Sequence, residues 1–230
     1  MSDVNVWNKE NLEKFNSYRH FPSEMILRAT LSTNYFSSPF TVAEGKTVLD
    51  IGCLFANNLV PYDDRGMKVY GTEVTDESVA ICQKMCKEQG INAQIKKGYN
   101  TSLPFEDKMF DLVLSIATIH YEENFESVQK AFHEFSRVTK LDGTVVIKTV
   151  APEHEMFKQS EFTAEKNYLL TKSNDLRTNQ RFYFFDNEKD LLNLGQVYFQ
   201  NVEIARITEH YPKNSLDFYL LKCENPIKTE

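Results

Sequence analysis

Val48-Leu49-Asp50-Ile51-Gly52-Cys53-Leu54-Phe55-Ala56 decides how the rest of this 230-residue chain is read. Apolar residues flank a single carboxylate and a glycine follows, so Thr47 to Ile51 reads as a short buried strand that ends on a loop beside an acidic side chain. The pattern then alternates. Lys68 to Thr72 reads as a second strand, followed by a helix from about Asp76 to Gln89 with Asp76 as N-cap and Gly90 as C-terminal stop. Ile91 to Lys96 fits a third strand and Phe110 to Ile116 a fourth. The next helix carries Phe125, Val128, Phe132, Phe135 and Val138 at helical spacing, which marks a core-facing stripe. Asp142-Gly143 reads as a turn into a fifth strand, Thr144 to Val150, rich in β-branched residues. Strands alternating with helices predict an α/β fold whose doubly wound, mostly parallel sheet is covered on both faces.

Beyond that core the signals are weaker. Ala151 to Phe185 is polar and aromatic by turns, without strand periodicity, and is placed to cross the carboxyl edge of the sheet as an insertion or lid. A helix from about Asn187 to Leu194 precedes two strand-like segments, Asn201 to Thr208 and Leu216 to Cys223, separated by a turn at Tyr211-Pro212-Lys213-Asn214 and expected to pair antiparallel. Trp7, Phe15, Tyr18, Phe21, Tyr35, Phe36 and Phe40 punctuate a polar N-terminal stretch, as in short helices packed outside a sheet. No repeat or linker divides the chain. The organisation expected is one domain: an N-terminal helical cap over 1–45, a core over 46–150, a possible lid over 151–185 and a C-terminal helix with strands over 186–230.

Composition narrows the function classes. A formal charge of -7 and a pI near 5.4 argue against a general polyanion binder, because affinity for a phosphate backbone comes from clustered Lys and Arg. The longest apolar runs fall far short of the roughly 20 residues that span a bilayer, and the start of the chain lacks the charge and apolar block of a secretory signal. A cytoplasmic protein with no membrane partner is the expectation. Cys53, Cys82, Cys86 and Cys223 are not at zinc-ribbon or redox spacing, so they read as reduced, mostly buried thiols, with no metal site.

In a doubly wound sheet the ligand sits beyond the carboxyl ends of the strands, where strand order reverses. Val48 to Cys53 resembles the first motif of class I S-adenosylmethionine-dependent methyltransferases, and Val69-Tyr70-Gly71-Thr72-Glu73 matches that family's second acidic position. One carboxylate there can accept both hydroxyls of a ribose. Leu103-Pro104-Phe105-Glu106-Asp107, running on to Phe110-Asp111-Leu112-Val113-Leu114-Ser115, resembles a third signature of the broad small-molecule branch. Glu134-Phe135-Ser136-Arg137-Val138 through Gly143 resembles a fourth. By family precedent the sheet has seven strands with a terminal antiparallel hairpin.

The resemblance implies S-adenosylmethionine as cofactor, with Asp50, Gly52, Cys53, Leu54, Asn57, Glu73, Val74, Tyr99, Asn100 and Ser115 as its binding residues. It implies methyl transfer to an oxygen or nitrogen of a small-molecule acceptor, such as a sugar or other secondary metabolite. His120, in the loop after the fourth strand that faces the methyl group in the family, is the candidate general base. His20 is a weaker candidate, and Arg28 is a candidate for the donor's carboxylate. Two positions depart from the pattern. The first loop is usually G-x-G-x-G, but Leu54 and Ala56 stand at its later glycine positions, so either the loop takes another path or Leu54 is strained. Tyr99 stands where an acidic residue often accepts from the adenine amino group, and the side-chain oxygen of Asn100 is the substitute acceptor.

The alternative is a noncatalytic methyltransferase-like binding or regulatory protein. A nicotinamide dehydrogenase lacks its GxGxxG here, and a nucleic-acid methyltransferase lacks both a base-flipping motif after the fourth strand and a basic face.

Overall fold

A computed structural model describes residues 4–8, 10, 21–172 and 177–227. Five parallel strands come first: β1 (Thr47–Ile51), β2 (Lys68–Glu73), β3 (Gln94–Lys97), β4 (Phe110–Ile116) and β5 (Thr139–Val150). Three short strands, β6 (Ser160–Phe162), β7 (Tyr168–Leu170) and β8 (Arg181–Phe182), form a separate antiparallel sheet. β9 (Phe199–Tyr211) and β10 (Asn214–Pro226) return to the main sheet as an antiparallel hairpin. The seven-stranded order is β3-β2-β1-β4-β5-β10-β9, the α/β architecture expected from the strand and helix alternation.

Successive residues on a strand face opposite sides, so a sheet buried on both faces needs apolar residues at consecutive positions. Val48 and Leu49 show this: Val48 joins Val69, Leu112 and Val146 in one core, while Leu49 joins Val113, Val145 and Leu221 in the other. Three helices cover the Val48 face: α1 (Glu24–Leu31) with Ile26 and Ala29, α2 (Val60–Asp63) with Tyr62, and α3 (Asp76–Gln89) with Cys82 and Cys86. α4 (Phe125–Val138) covers the Leu49 face with Val128, Phe132, Phe135 and Val138. α5 (Glu155–Lys158) precedes the small sheet, and α6 (Glu188–Tyr198) adds Leu191 and Leu194 to the Leu49 face.

Several boundaries differ from the sequence reading. Thr75, rather than Asp76, caps α3: its hydroxyl accepts from Ser78 N at 3.0 Å and Ser78 Oγ accepts from Thr75 N at 3.2 Å. Gly90 ends that helix in the left-handed conformation, φ 74°. β3 starts three residues late because Ile91 N still bonds Cys86 O at 2.9 Å and closes the helix. Phe125 begins α4 but is 43% exposed, so the core stripe starts at Val128. Asp142-Gly143 is not a turn between elements but lies inside β5, where the pairing slips from Phe110↔Thr139 to Leu112↔Thr144. A Cβ on Gly143 would stand 3.0 Å from the carbonyl oxygen of Phe110.

The 151–185 stretch holds α5 and the small sheet. Leu170, Phe182 and Phe184 pack with Val150 and Phe218, which fixes it against the carboxyl ends of β5 and the amino-terminal part of β10. Phe182 and Phe184 stack at 5.6 Å, and Tyr183 N donates to His120 O at 3.0 Å, tying this sheet to the loop after β4. No helix among the described residues is long and apolar enough to cross a membrane.

Candidate functional site

Strand order reverses between β1 and β4, so the loops leaving them diverge and open a crevice. A cavity of about 260 Å³ lies there, walled by Gly52 and Leu54 after β1, by Thr72, Glu73 and Val74 at the end of β2, and by Tyr99 and Asn100 after β3. Ala117, Thr118, Tyr121 and Glu122, from the loop after β4, form the opposite wall. Trp7, in a 3-10 helix over Val4–Trp7, also lines it, and its ring meets Tyr121 edge-on at 5.6 Å. The carbonyl of Trp7 accepts from Thr75 Oγ1 at 3.2 Å, anchoring that helix to the α3 cap.

The loop after β1 keeps a glycine-like course without the glycines. Leu54 has φ 47° and Ala56 φ 56°, both left-handed, at a cost of about 1–2 kcal/mol each. Thus Leu54 is strained rather than the loop rerouted. Hydrogen bonds hold the shape: Gly52 N and Cys53 N donate to Thr72 O at 2.9 and 3.1 Å, Leu54 N to Glu73 Oε1 at 2.5 Å, and Ala56 N to Cys53 O at 2.8 Å. Gly52 itself is left-handed at φ 66°, and a Cβ there would lie 2.5 Å from Thr118 Cγ2. Ala117, facing across the cavity, is also left-handed at φ 59°.

Two carboxyls stand close together at the strand ends. Glu73 is 5% exposed; burial pushes its carboxyl up to about 7, against the lowering effect of the Leu54 N–H. Asp50 is 1% exposed, and burial pushes it up to about 8, with Glu73 adding to the rise and the Asn58 amide partly opposing it. Neither Asp50 oxygen has a partner at full hydrogen-bond geometry, and the buried Thr72 Oγ1 has none either.

Of the residues expected at a cofactor, Gly52, Leu54, Glu73, Val74, Tyr99 and Asn100 line the cavity, whereas Asp50, Cys53, Asn57 and Ser115 are not among its wall residues. Cys53 Sγ packs 3.4 Å from Cys82 Sγ. Ser115 Oγ shares a 2.7 Å hydrogen bond with Thr118 Oγ1. Asn57 Nδ2 donates to Phe21 O at 2.6 Å and Asn58 Oδ1 accepts from Ser23 N at 3.0 Å, so this pair fastens the segment ahead of α1 to the β1 loop.

His120 is not where a base for this cavity would stand. It is 3% exposed, sits among Tyr121, Phe182 and Phe184, has Thr149 Oγ1 3.5 Å from Nδ1, and does not line the cavity. Burial holds its pKa well below the ordinary histidine value, with His154, Arg177 and Lys148 adding to the effect. Arg28 lies on the surface of α1, paired to Glu24 at 2.6 Å and over the Tyr35 ring, away from the cavity wall. His20, Phe15 and Tyr18 fall outside the described residues.

Trp7, Tyr121 and Glu122 were not anticipated as wall residues. The one signal available was position: Tyr121 and Glu122 follow His120 directly, and Trp7 is the only tryptophan. All four cysteines are free thiols, and among the described residues no group of three or more His, Cys, Asp or Glu is arranged to hold a metal.

Comparison with known proteins agrees with this architecture. Residues 49–147 match the family model of a methyltransferase domain. The chain is 30% identical over 128 residues to the uncharacterized methyltransferase YcgJ of Bacillus subtilis, covering 55% of this chain and 49% of that protein. It is 29% identical over 147 residues to norajmaline N-methyltransferase of Rauvolfia serpentina, covering 60% and 49%. The chain thus spans about half the length of these curated relatives. A crystal structure of a SAM-dependent methyltransferase from Methanosarcina mazei superposes with a TM-score of 0.65 at 17% identity, over 89% of this chain and 99% of that one, and so shares the fold. With these motifs, this strand order and this cavity, the chain is similar over residues 49–147 to a methyltransferase domain and shares the fold of a SAM-dependent methyltransferase.

Proposed function

We propose that this chain transfers a methyl group from S-adenosylmethionine to an oxygen or nitrogen of a small-molecule acceptor. The observation that carries the reading is the cavity at the strand crossover, walled by a left-handed loop and holding the buried carboxylate of Glu73. Thr72 and Glu73 bring polar side chains to the wall, and Asp50 immediately precedes the wall residue Ile51. Glu73 would accept the ribose hydroxyls, Gly52 and Leu54 would carry the amino-acid tail over their backbone, and Val74, Tyr99 and Asn100 would face the adenine. Asp50, Cys53, Asn57 and Ser115 would act from outside the wall, shaping the loop. Bound, the cofactor supplies a methyl group on a sulfonium, an electrophile that needs orientation more than activation. Orientation and exclusion of water are worth roughly 7–11 kcal/mol in favourable cases. Trp7 and Tyr121 exclude water from one side of the cavity.

The acceptor would enter between the N-terminal segment and the 151–185 lid, since that lid is fixed beside the loop after β4. A relative named for N-methylation of norajmaline supports a small acceptor, and the net charge of -7 supports neither a nucleic acid nor an anionic membrane surface as partner. A cytoplasmic setting fits the free thiols.

The test is calorimetry with S-adenosylhomocysteine, followed by transfer of labelled methyl into the small-molecule fraction of a cell extract. Binding with label transfer supports the proposal, and no binding at millimolar ligand removes it. A second reading, a noncatalytic binding protein, is favoured by one observation: the expected base, His120, stands outside the cavity. Tight binding without transfer to any acceptor would establish that reading.

A further inference from the structure

The cavity wall contains two carboxylates, Glu73 and Glu122. Glu73 closes the end of β2 and bonds the loop after β1. Glu122 lies on the opposite wall, five residues beyond Ala117, and is only 2% exposed. Its Oε1 accepts from Asn100 Nδ2 at 3.0 Å, and the same amide nitrogen donates to Thr118 O at 3.2 Å. Both amide protons of Asn100 are therefore assigned, since rotating the amide by half a turn would set its oxygen against a carbonyl and a carboxylate. These bonds engage only Oε1 of the Glu122 carboxylate and only the nitrogen of the Asn100 amide.

The neighbouring position gives no acid. Tyr99 pairs with Ser102 through backbone bonds of 3.1 and 3.0 Å, a tight turn whose side chains include no carboxylate before Glu106. A buried carboxylate with an open lone pair carries a desolvation cost that a ligand N–H would relieve. A 6-aminopurine presents two such donors at its exocyclic nitrogen, whereas a 6-oxopurine presents an acceptor there.

We infer that Glu122, held in place by Asn100, accepts the adenine amino group of the cofactor and makes the cavity selective for 6-aminopurine over 6-oxopurine nucleosides. The inference rests on the cavity being the cofactor site. It assigns to a side chain after β4 the work that the chain's third strand-end loop lacks a carboxylate to do. Burial raises the carboxyl of Glu122, with the hydrogen bond from Asn100 opposing it.

The experiment measures Kd by calorimetry for S-adenosylhomocysteine and for its deaminated analogue, S-inosylhomocysteine, which differs at the purine C6. Wild type is expected to prefer the adenosyl ligand by about tenfold or more, the range of one charge-assisted hydrogen bond gained or lost. In Glu122→Ala that preference should collapse toward unity, through loss of adenosyl affinity with the inosyl Kd nearly unchanged. Glu122→Gln, whose amide can donate to a 6-keto oxygen, should shift preference toward the inosyl ligand and remains informative if the alanine variant does not fold. Asn100→Ala, which frees Glu122 from its mooring, should lower the ratio as well. Equal weakening of both ligands, or an unchanged ratio in a folded variant, overturns the inference and leaves Glu122 a structural group. Wild type binding neither ligand would instead overturn the cofactor assignment, and this inference with it.

Discussion

Leu54 is held left-handed at φ 47° between two hydrogen-bonded neighbours, with its own N–H committed to Glu73. Backbone strain of this kind persists when surrounding bonds over-determine the conformation, and it concentrates at binding sites. Leu54→Gly should therefore raise Tm by about 2–4 °C, the shift that ~1 kcal/mol produces in a protein of this size. A fall in Tm would show that packing of the leucine side chain outweighs the strain. Glu73 meets the loop and the cavity together, so Glu73→Ala should weaken S-adenosylhomocysteine binding by more than about tenfold; an unchanged Kd would remove it from the site. His120 separates structure from chemistry. Enclosed by aromatic rings and bonded through its carbonyl to the small sheet, it should cost about 1–3 kcal/mol of stability in urea unfolding when changed to Ala. A folded His120→Gln variant that loses more than about tenfold in turnover at unchanged cofactor Kd would restore the proton-transfer role.

At the scale of elements, the third and fourth sequence signatures prove to be two halves of one joint. Glu134 Oε2 accepts from Leu103 N at 2.7 Å, while Arg137 donates to Glu134, Phe105 O, Asp107 and Leu103 O, so α4 grips the loop that leads into β4. Arg137→Ala would leave the largely buried Glu134 without its cation and should destabilise the protein by about 2–3 kcal/mol, read by urea unfolding, with cofactor Kd nearly unchanged. A large loss of affinity with full stability would make the joint part of the binding site. The same contrast explains what the sequence made legible. β1, β2 and β4 carry apolar residues at consecutive positions, and β1 and β2 end at a glycine or an acid, so their bounds could be read almost to the residue. β6 to β8 have three, three and two residues, too short for any period to register, and β5 swallows an Asp-Gly pair that locally has turn chemistry. Wall positions after β1, β2 and β3 were legible from strand ends. Trp7 and Glu122 were not, because they reach the cavity through tertiary packing and no spacing announces them.

Across the whole molecule, groups of opposite pH preference are distributed so that cofactor binding and folding stability respond differently to pH. Asp50 and Glu73, raised by burial to about 8 and about 7, bind protons in the native state that the unfolded chain releases near its ordinary carboxylate values, so they lower stability as pH rises toward 8. Asp217 acts in the opposite sense: burial works against its ionisation, but hydrogen bonds from Arg206 and Thr208 hold it lowered, and its contribution is lost as pH falls through the acid range. His120 and His154 are lowered chiefly by burial, His154 to about 4, and they disfavour folding once the unfolded chain protonates below the ordinary histidine value. The histidines offset the two raised acids between about pH 4 and 6.5, and above that range the acids act unopposed. The cofactor-free protein should therefore hold a nearly level stability up to about pH 6.5 and lose about 2 kcal/mol by pH ~8, at about 1.4 kcal/mol per unit of unopposed titration. Binding should run the other way. Ribose hydroxyls donate to an ionised Glu73, so affinity for S-adenosylhomocysteine should climb from pH ~6 to ~8 and the liganded protein should show a flatter stability profile. Asp50→Asn should remove most of the loss in the free protein while leaving the climb in affinity, which belongs to Glu73. Urea unfolding and calorimetry across that pH range test both slopes. A free protein whose stability is level or rising above pH ~6.5 would mean that Asp50 and Glu73 are ionised at ordinary carboxylate values, and that the buried pair is not what tunes this cavity for its ligand.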